Sequence, residues 1–390
     1  MRTRLAVGAL VLLALAVRVA YVLVVQGDSP PEGDALHYSA QAEELAAGHG
    51  FRAPFVGGPG AEHPPLTAVV TSAVARFTDG TMPQRLGMAV IGTGVVAAIA
   101  ALAWRLAGPR AAVVAAAVGA VYPNLWMNDG VVMAEAPAAL LVAGTLLVTY
   151  RLVDRPDLPT AAVAGALVGL ATLTRAELAL LLPFVVAPVL LRSWRPLVVA
   201  TAIAGVVVAP WALWNLTRFE EPVLLSTNEG RTLRGANCEP TWYGTGAGLW
   251  TQEERCLPPV DGDPSVANVA YRRAALDFIA DRPEWLPVVA AVRELRVWSL
   301  YAPGQMAEYN VGEDRPEEAS WAGAIAYWTL LPLAVLGAVR LRRRGVRLAP
   351  LLGTFALVAV TAAAFYGLVR FRVPAEVSLV VLASAATVRP

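Results

Sequence analysis

Asp34 and Tyr38 stand four residues apart in the run Gly33-Asp34-Ala35-Leu36-His37-Tyr38. A helix beginning at Asp34 puts both side chains on one face, with the carboxylate at the N-cap. Such a carboxylate can act as general base on an acceptor hydroxyl, or serve only as a helix cap. Glu62-His63-Pro64-Pro65-Leu66 follows. Its proline pair fixes an extended approach to a helix start, since proline in a first turn costs no hydrogen bond. His63 at that start can donate to a phosphate oxygen, or be incidental to a turn. Glu135 falls inside an apolar run, where an ionised group is expensive. It either orients a substrate hydroxyl or pairs with an arginine. Arg175 and Glu177 share a turn between two short apolar stretches, where they pair with each other or present Arg175 to an anion. Arg370 and Arg372, in Arg370-Phe371-Arg372-Val373-Pro374, interrupt the last apolar stretches. Guanidinium groups stay charged and hold phosphate oxygens in forked geometry, so a phosphate is the expected ligand of Arg370 and Arg372, with Arg175 and His63 beside it. Tyr38, His37, Glu62, Glu135 and Glu177 are the remaining substrate-binding candidates.

The histidines, His37, His49 and His63, all precede residue 85. Combined with Asp34 they match no standard zinc spacing, so a divalent metal is not favoured and no cofactor is expected. There is no lysine in the chain, which excludes a lysine nucleophile or Schiff base.

The elements that must position these residues are membrane helices. Of 390 residues 57% are hydrophobic and 16% charged, with a mean hydropathy of +0.55. A soluble domain has about 25% charged residues, so many long apolar runs indicate an all-α polytopic membrane protein. The net charge of +1 says nothing about partners, but no basic stripe suits nucleic acid, and none is expected as a partner. Apolar length predicts spans near 5–25, 85–107, 110–125, 130–150, 160–174, 177–191, 196–216, 321–339, 347–368 and 374–388. The first is expected to be an uncleaved anchor, because Gln26-Gly27-Asp28 offers no small-x-small cleavage site. Arginine-rich connectors at 105–110, 151–155, 192–195 and 340–344 all fall on the N-terminal side, which the positive-inside rule makes cytosolic. Ten spans place both termini there.

Two outer segments remain. Residues 26–84 carry an apolar stretch, Pro64 to Phe77, too short to cross, which is expected to lie in the interface or re-enter. Residues 217–320 hold 17 of the 30 acidic residues and should form a small ordered unit, since a structureless loop of that length is unusual. Cys238 and Cys256 both lie in it, which fits a disulfide in an oxidising compartment. The expected organisation is a membrane module over 1–216, an extracytoplasmic unit over 217–320 and C-terminal hairpins over 321–390.

The ordered set of Gly-Asp-x3-Tyr after the first span, His-Pro-Pro-Leu, an acidic start to a later span, and a terminal Arg-Phe-Arg-x-Pro-x-Glu resembles the GT-C glycosyltransferases. More narrowly, it resembles the protein O-mannosyltransferase-like family 39, whose relatives include aminoarabinose transferases acting on lipid A. The resemblance implies a bundle using a polyprenyl-phosphate-linked sugar donor on the outer face of a bacterial plasma membrane. It implies membrane-parallel helices in the first outer loop and a catalytic acid there, matched by Asp34. His63 stands where relatives commonly have lysine, and Ala35 where many have a second acid, so a single-carboxylate, metal-independent mechanism is expected. Glu135 matches an acidic position opening a later span, and Arg370 and Arg372 the closing basic motif. The expected reaction is an inverting sugar transfer to a hydroxyl of a protein, glycan or lipid acceptor, with Asp34 as base. The alternatives are a transporter or flippase of a lipid-linked sugar, and an inactive relative that binds lipid phosphate.

Overall fold

The computed structural model describes residues 1–27 and 29–387. Asp28, in the expected cleavage-resistant turn, and residue 388, closing the expected tenth span, lie outside the described residues. Among the described residues the regular structure is helical, apart from one isolated bridge between Arg52 and Pro59.

The first helix, α1 (Arg2–Tyr21), continues through a π turn to Gln26 and stops at Gly27, whose φ of 55° ends the ladder. The chain re-enters helix at α2 (Gly33–Ala46), again through a positive-φ glycine, Gly33. The N-cap is Glu32, so Asp34 lies inside the first turn and does not cap the helix as expected; its carboxylate is engaged elsewhere. Next, α3 (Leu66–Ala75) starts directly after the proline pair and packs on α2. Its Leu66 N–H is satisfied by the carbonyl of Leu173, which ties the first loop to the bundle.

Then come α4 (Thr81–Ala107), α5 (Pro109–Val121) and α6 (Pro123–Asp129). The last two meet at 53°, because Pro123 forces Tyr122 into extended backbone. Three helices follow, α7 (Glu135–Asp154), α8 (Leu158–Thr172), capped by Asp157 on the Thr160 N–H, and after a 3₁₀ and a π turn the short α9 (Ala187–Leu190). The sixth apolar stretch is therefore irregular. The next helix, α10 (Trp194–Asn215), closes the first module and packs along α8.

Between α10 and the C-terminal helices lie α11 (Glu229–Ala236), α12 (Glu239–Trp242), α13 (Pro264–Ala280), α14 (Leu286–Val297) and α15 (Pro303–Val311). Cys238 and Cys256 are disulfide-bonded, with Cα atoms 5.8 Å apart. This segment is bolted to the bundle by buried Arg293, which donates to the carbonyls of Ala236 and Ala363. Its first residues grip the loop before α3. Arg218 donates to the carbonyls of Phe51 and Gly60, while Thr227 N–H and Ser226 Oγ donate to those of Ala61 and Glu62.

The chain finishes with α16 (Glu317–Arg343), α17 (Ala349–Ala364), a 3₁₀ turn Val369–Arg372, and α18 (Val373–Ala385). All residues of α18 are buried, against α16, α17, α4, α5 and α7. A helix that is apolar all round is a core helix, and α18 is the axis of this bundle. By length and apolarity five helices can cross a membrane, or six if α5 and α6 form one bent span. The stretches expected as fifth, sixth, ninth and tenth spans are shorter helices of 10 to 17 residues or broken ones, so length alone does not carry a count of ten. The molecule is an integral membrane protein.

Candidate active site

The polar residues singled out above come from the ends of helices far apart in the chain. Asp34 lies in the first turn of α2, His63 just before α3, Glu135 at the start of α7, Arg175 and Glu177 after α8, and Arg370 between α17 and α18. Among the described residues they meet at one end of the bundle.

Asp34 and Arg370 form the centre. Arg370 Nη1 lies 2.8 Å from Asp34 Oδ2, across 336 residues of sequence. The same Nη1 lies 3.0 Å from Glu313 Oε1, and Nη2 donates to Tyr366 Oη at 3.0 Å. Burial alone raises the Asp34 carboxyl, but Arg370, His63 and Arg175 outweigh it and hold Asp34 well below the usual carboxylate range. Its side chain remains 32% exposed, so a hydroxyl can reach it from outside.

His63 Nε2 is 3.7 Å from Asp34 Oδ1 and makes no hydrogen bond, while its ring stacks on Tyr38 with centroids 4.5 Å apart. Burial pushes the His63 imidazole below its ordinary value, and Asp34 only partly offsets this. The ring is therefore neutral near pH 7, able to donate one hydrogen bond but not a charge. Burial pushes the Tyr38 phenol up, so it stays protonated. His37 Nδ1 lies 3.0 Å from a Glu62 carboxylate oxygen and edge-on to His63. His49 stands apart, on Glu44. Among the described residues no three His, Cys, Asp or Glu side chains are grouped to hold a metal.

Arg175 bridges Glu135 at 2.8 Å and Glu177 at 2.6 Å. Its guanidinium carbon lies 5.0 Å from the Phe371 ring centre and that of Arg370 5.8 Å, so both cations pack on one aromatic. Glu135 is fully buried and also 3.9 Å from Arg315.

Arg372 goes elsewhere. Its side chain is 1% exposed, with Nε on Glu376 at 2.5 Å, Nη1 on the Val297 carbonyl and Ser299 Oγ, and its plane over Tyr327. Glu376 in turn accepts from Tyr122 and Asn124. In a 3₁₀ turn of three residues per turn, positions two apart lie about 120° apart around the axis, and here Arg370 turns to Asp34 while Arg372 turns to Glu376, so the two guanidinium groups do not share a partner.

Sequence reasoning did not single out Glu313 and Arg315. They sit between α15 and α16, where Glu313 Oε2 accepts from Arg315 Nη1 at 2.8 Å and Arg315 Nε donates to Asn128 Oδ1 at 2.8 Å. In a segment this rich in exposed charge, nothing in composition marks them. Arg18 was also overlooked, although an arginine inside the first apolar run is a signal. It is fully buried against Asp129 at 2.6 Å.

Residues 62–214 match the family described as dolichyl-phosphate-mannose-protein mannosyltransferase. No curated protein matches the sequence. Among solved structures, the oligosaccharyltransferase of Archaeoglobus fulgidus in its apo form superposes with a TM-score of 0.56 at 13% identity. The same archaeal enzyme, AglB, in complex with an inhibitory peptide and a dolichol-phosphate, gives 0.54 at 13%. Each comparison covers 97% of this chain and 50% of the archaeal one, so this chain spans about half the length of that protein. ArnT from Cupriavidus metallidurans bound to undecaprenyl phosphate aligns at 18% identity over 97% of this chain and 77% of its own, with a TM-score of 0.49. The chain shares the fold of the archaeal oligosaccharyltransferase, and its residues 62–214 are similar to the mannosyltransferase family.

Proposed function

We propose that this protein transfers a sugar from a polyprenyl-phosphate-linked donor to an acceptor hydroxyl on the extracytoplasmic side of a bacterial plasma membrane, with inversion at the anomeric carbon. The single observation that carries this reading is the Asp34–Arg370 pair, a general base and a phosphate ligand held 2.8 Å apart from opposite ends of the chain. The family match over residues 62–214 and the dolichol-phosphate bound in the archaeal protein of the same fold support the donor class.

In this reading the acceptor oxygen attacks the anomeric carbon while its proton passes to an Asp34 oxygen. The bond from that carbon to the phosphate oxygen breaks, and its electron pair leaves with the polyprenyl phosphate. Negative charge grows on the departing phosphate, where Arg370 supplies fixed positive charge. Arg175 packs on Phe371, as Arg370 does, and holds Glu135 and Glu177. His63 donates one neutral hydrogen bond to a phosphate oxygen. Tyr38, His37, Glu62 and Glu135 line the acceptor and sugar approach. Arg372 acts on the ligand only through the shape of the turn that carries Arg370. The reaction needs no metal in this account, because one carboxylate and one guanidinium handle the proton and the leaving group.

Sidedness is supported from two directions. The disulfide-bearing segment contributes Glu313 and Arg315 to the site, and disulfides persist in oxidising compartments. The arginine-rich connectors lie at the other ends of the same helices, the side that the positive-inside rule makes cytosolic. One-sided clustering also argues against a transporter, whose site is expected near the midplane. The test is reconstitution in liposomes with a panel of polyprenyl-phosphate sugars and candidate protein, glycan and lipid acceptors. One donor should be consumed with release of polyprenyl phosphate; passage of a lipid-linked sugar across the bilayer without cleavage would overturn the reading.

A further inference from the structure

The cluster around Arg370 holds four carboxylates (Asp34, Glu135, Glu177 and Glu313) against three guanidinium groups (Arg175, Arg315 and Arg370). Burial pushes the one adjacent imidazole, His63, toward its neutral form. A site with this excess of acid repels a phosphate monoanion unless one carboxylate leaves.

Glu313 is placed to be that one. Its two oxygens span the two arginines, Oε1 at 3.0 Å from Arg370 Nη1 and Oε2 at 2.8 Å from Arg315 Nη1. A carboxylate bridging two guanidinium groups has the shape and charge of the two free oxygens of a phosphodiester. Even so, it leaves the cations under-served. Arg370 Nε is buried with no hydrogen-bond partner, and Arg315 Nη2 has only the Met133 sulfur at 3.5 Å and Glu135 at 3.9 Å. A small cavity adjoins both arginines, lined also by Asn124, Asn128 and Asn310.

The backbone around Glu313 is fixed independently of its side chain. Asp314, at φ +60°, accepts from the Glu32 N–H through its carboxylate at 2.9 Å and from Gln26 Nε2 through its carbonyl at 2.7 Å. Glu313 can therefore swing out by side-chain rotation while the turn stays anchored beside Asp34. Glu135 and Glu177 offer no such exit, being held by Arg175, Glu135 at full burial.

We infer that Arg370 and Arg315 together form the seat for the phosphodiester of the lipid-linked donor, and that Glu313 is an internal anion occupying this seat until the donor displaces it. The inference rests on the donor class proposed above. Displacement has a catalytic consequence. Arg370 Nη1 is shared between Glu313 and Asp34, so a phosphate that draws the guanidinium toward Arg315 weakens its hold on Asp34. The carboxylate then becomes a stronger base when a donor is present, and the acceptor is deprotonated only then.

The test is binding of undecaprenyl phosphate to the full-length protein in lipid nanodiscs, with uncharged undecaprenol as the reference lipid. Glu313→Gln should bind the phosphate roughly tenfold more tightly than the parent, on the scale of ordinary site–site coupling, while Glu177→Gln moves it at most about threefold. Arg315→Gln should weaken it about tenfold or more, and Glu313→Gln should add nothing in that background. A purely structural Glu313 gives the opposite sign, because loosened arginines bind less well. Unchanged or weaker binding by Glu313→Gln overturns the inference. If that variant does not fold, Glu313→Asp, which keeps the charge but falls short of bridging both arginines, should also bind more tightly than the parent; equal or weaker binding again overturns it. If parent and variants alike prefer the phosphate no more than undecaprenol, the donor reading itself fails.

Discussion

Arg370 and Arg372 are two residues apart, chemically identical and both largely buried, yet their surroundings differ in kind. Arg372 is pinned, with a carboxylate on Nε, a carbonyl and a hydroxyl on Nη1, and an aromatic face beneath. Arg370 is contested, with one nitrogen shared by two carboxylates and another without a partner. A buried pair whose carboxylate belongs to one arginine acts as a fixed pin, as does Arg18 on Asp129 deeper in the bundle. A contested one can exchange an internal anion for an external anion at small net cost. Competition between two carboxylates for one guanidinium nitrogen, more than residue type, separates Arg370 from Arg372.

That contrast predicts opposite phenotypes. Arg370→Gln should lower transfer at least 100-fold and abolish donor-phosphate binding, while the unfolding temperature moves little, because Glu313 keeps Arg315 and Asp34 is partly open to water. Arg372→Met should act the other way. It leaves Glu376 buried without its cation, at a cost of about 3–5 kcal/mol, read as a lower unfolding temperature and poor recovery from the membrane. Replacing Glu376 by Gln in the same chain should restore part of that loss. If Arg372→Met instead abolished donor binding in a fully stable protein, the division between the two arginines would be wrong.

A smaller effect concerns pH. His63 is depressed below its ordinary value of about 6.5, so it is neutral above that and gains a proton as pH falls. The resulting cation, 3.7 Å from Asp34, makes the carboxylate a weaker base. Transfer should therefore decline several-fold on acidification with an apparent midpoint below about 6.5, and His63→Gln should remove that limb. Asp34 itself, held below the usual carboxylate range, should give no acid limb above about pH 4. A limb that survives His63→Gln would point to another group.

Much of the site was legible in the sequence because charge in apolar surroundings is costly and therefore informative. Glu135 and Arg370 stood out on that ground, Asp34 by its spacing to Tyr38 and by the family resemblance, and the structure brings them to one end of the bundle. The proline pair before Leu66 marked the start of α3 within two residues. Glu313 and Arg315 were not legible, since in a solvated, acid-rich segment a charge costs nothing and so signals nothing. The separation of Arg370 from Arg372 depends on a 3₁₀ turn that apolar patterning does not encode. The role of α18 was legible only in part, because its apolar run fits a lipid-facing span and a buried axis equally well.

The most direct test of the account is Asp34→Asn in the reconstituted protein, measuring donor consumption and polyprenyl-phosphate binding side by side. The account predicts that transfer is lost, by at least 100-fold on the scale of general-base removal, while the donor phosphate still binds. Turnover equal to that of the parent would contradict it.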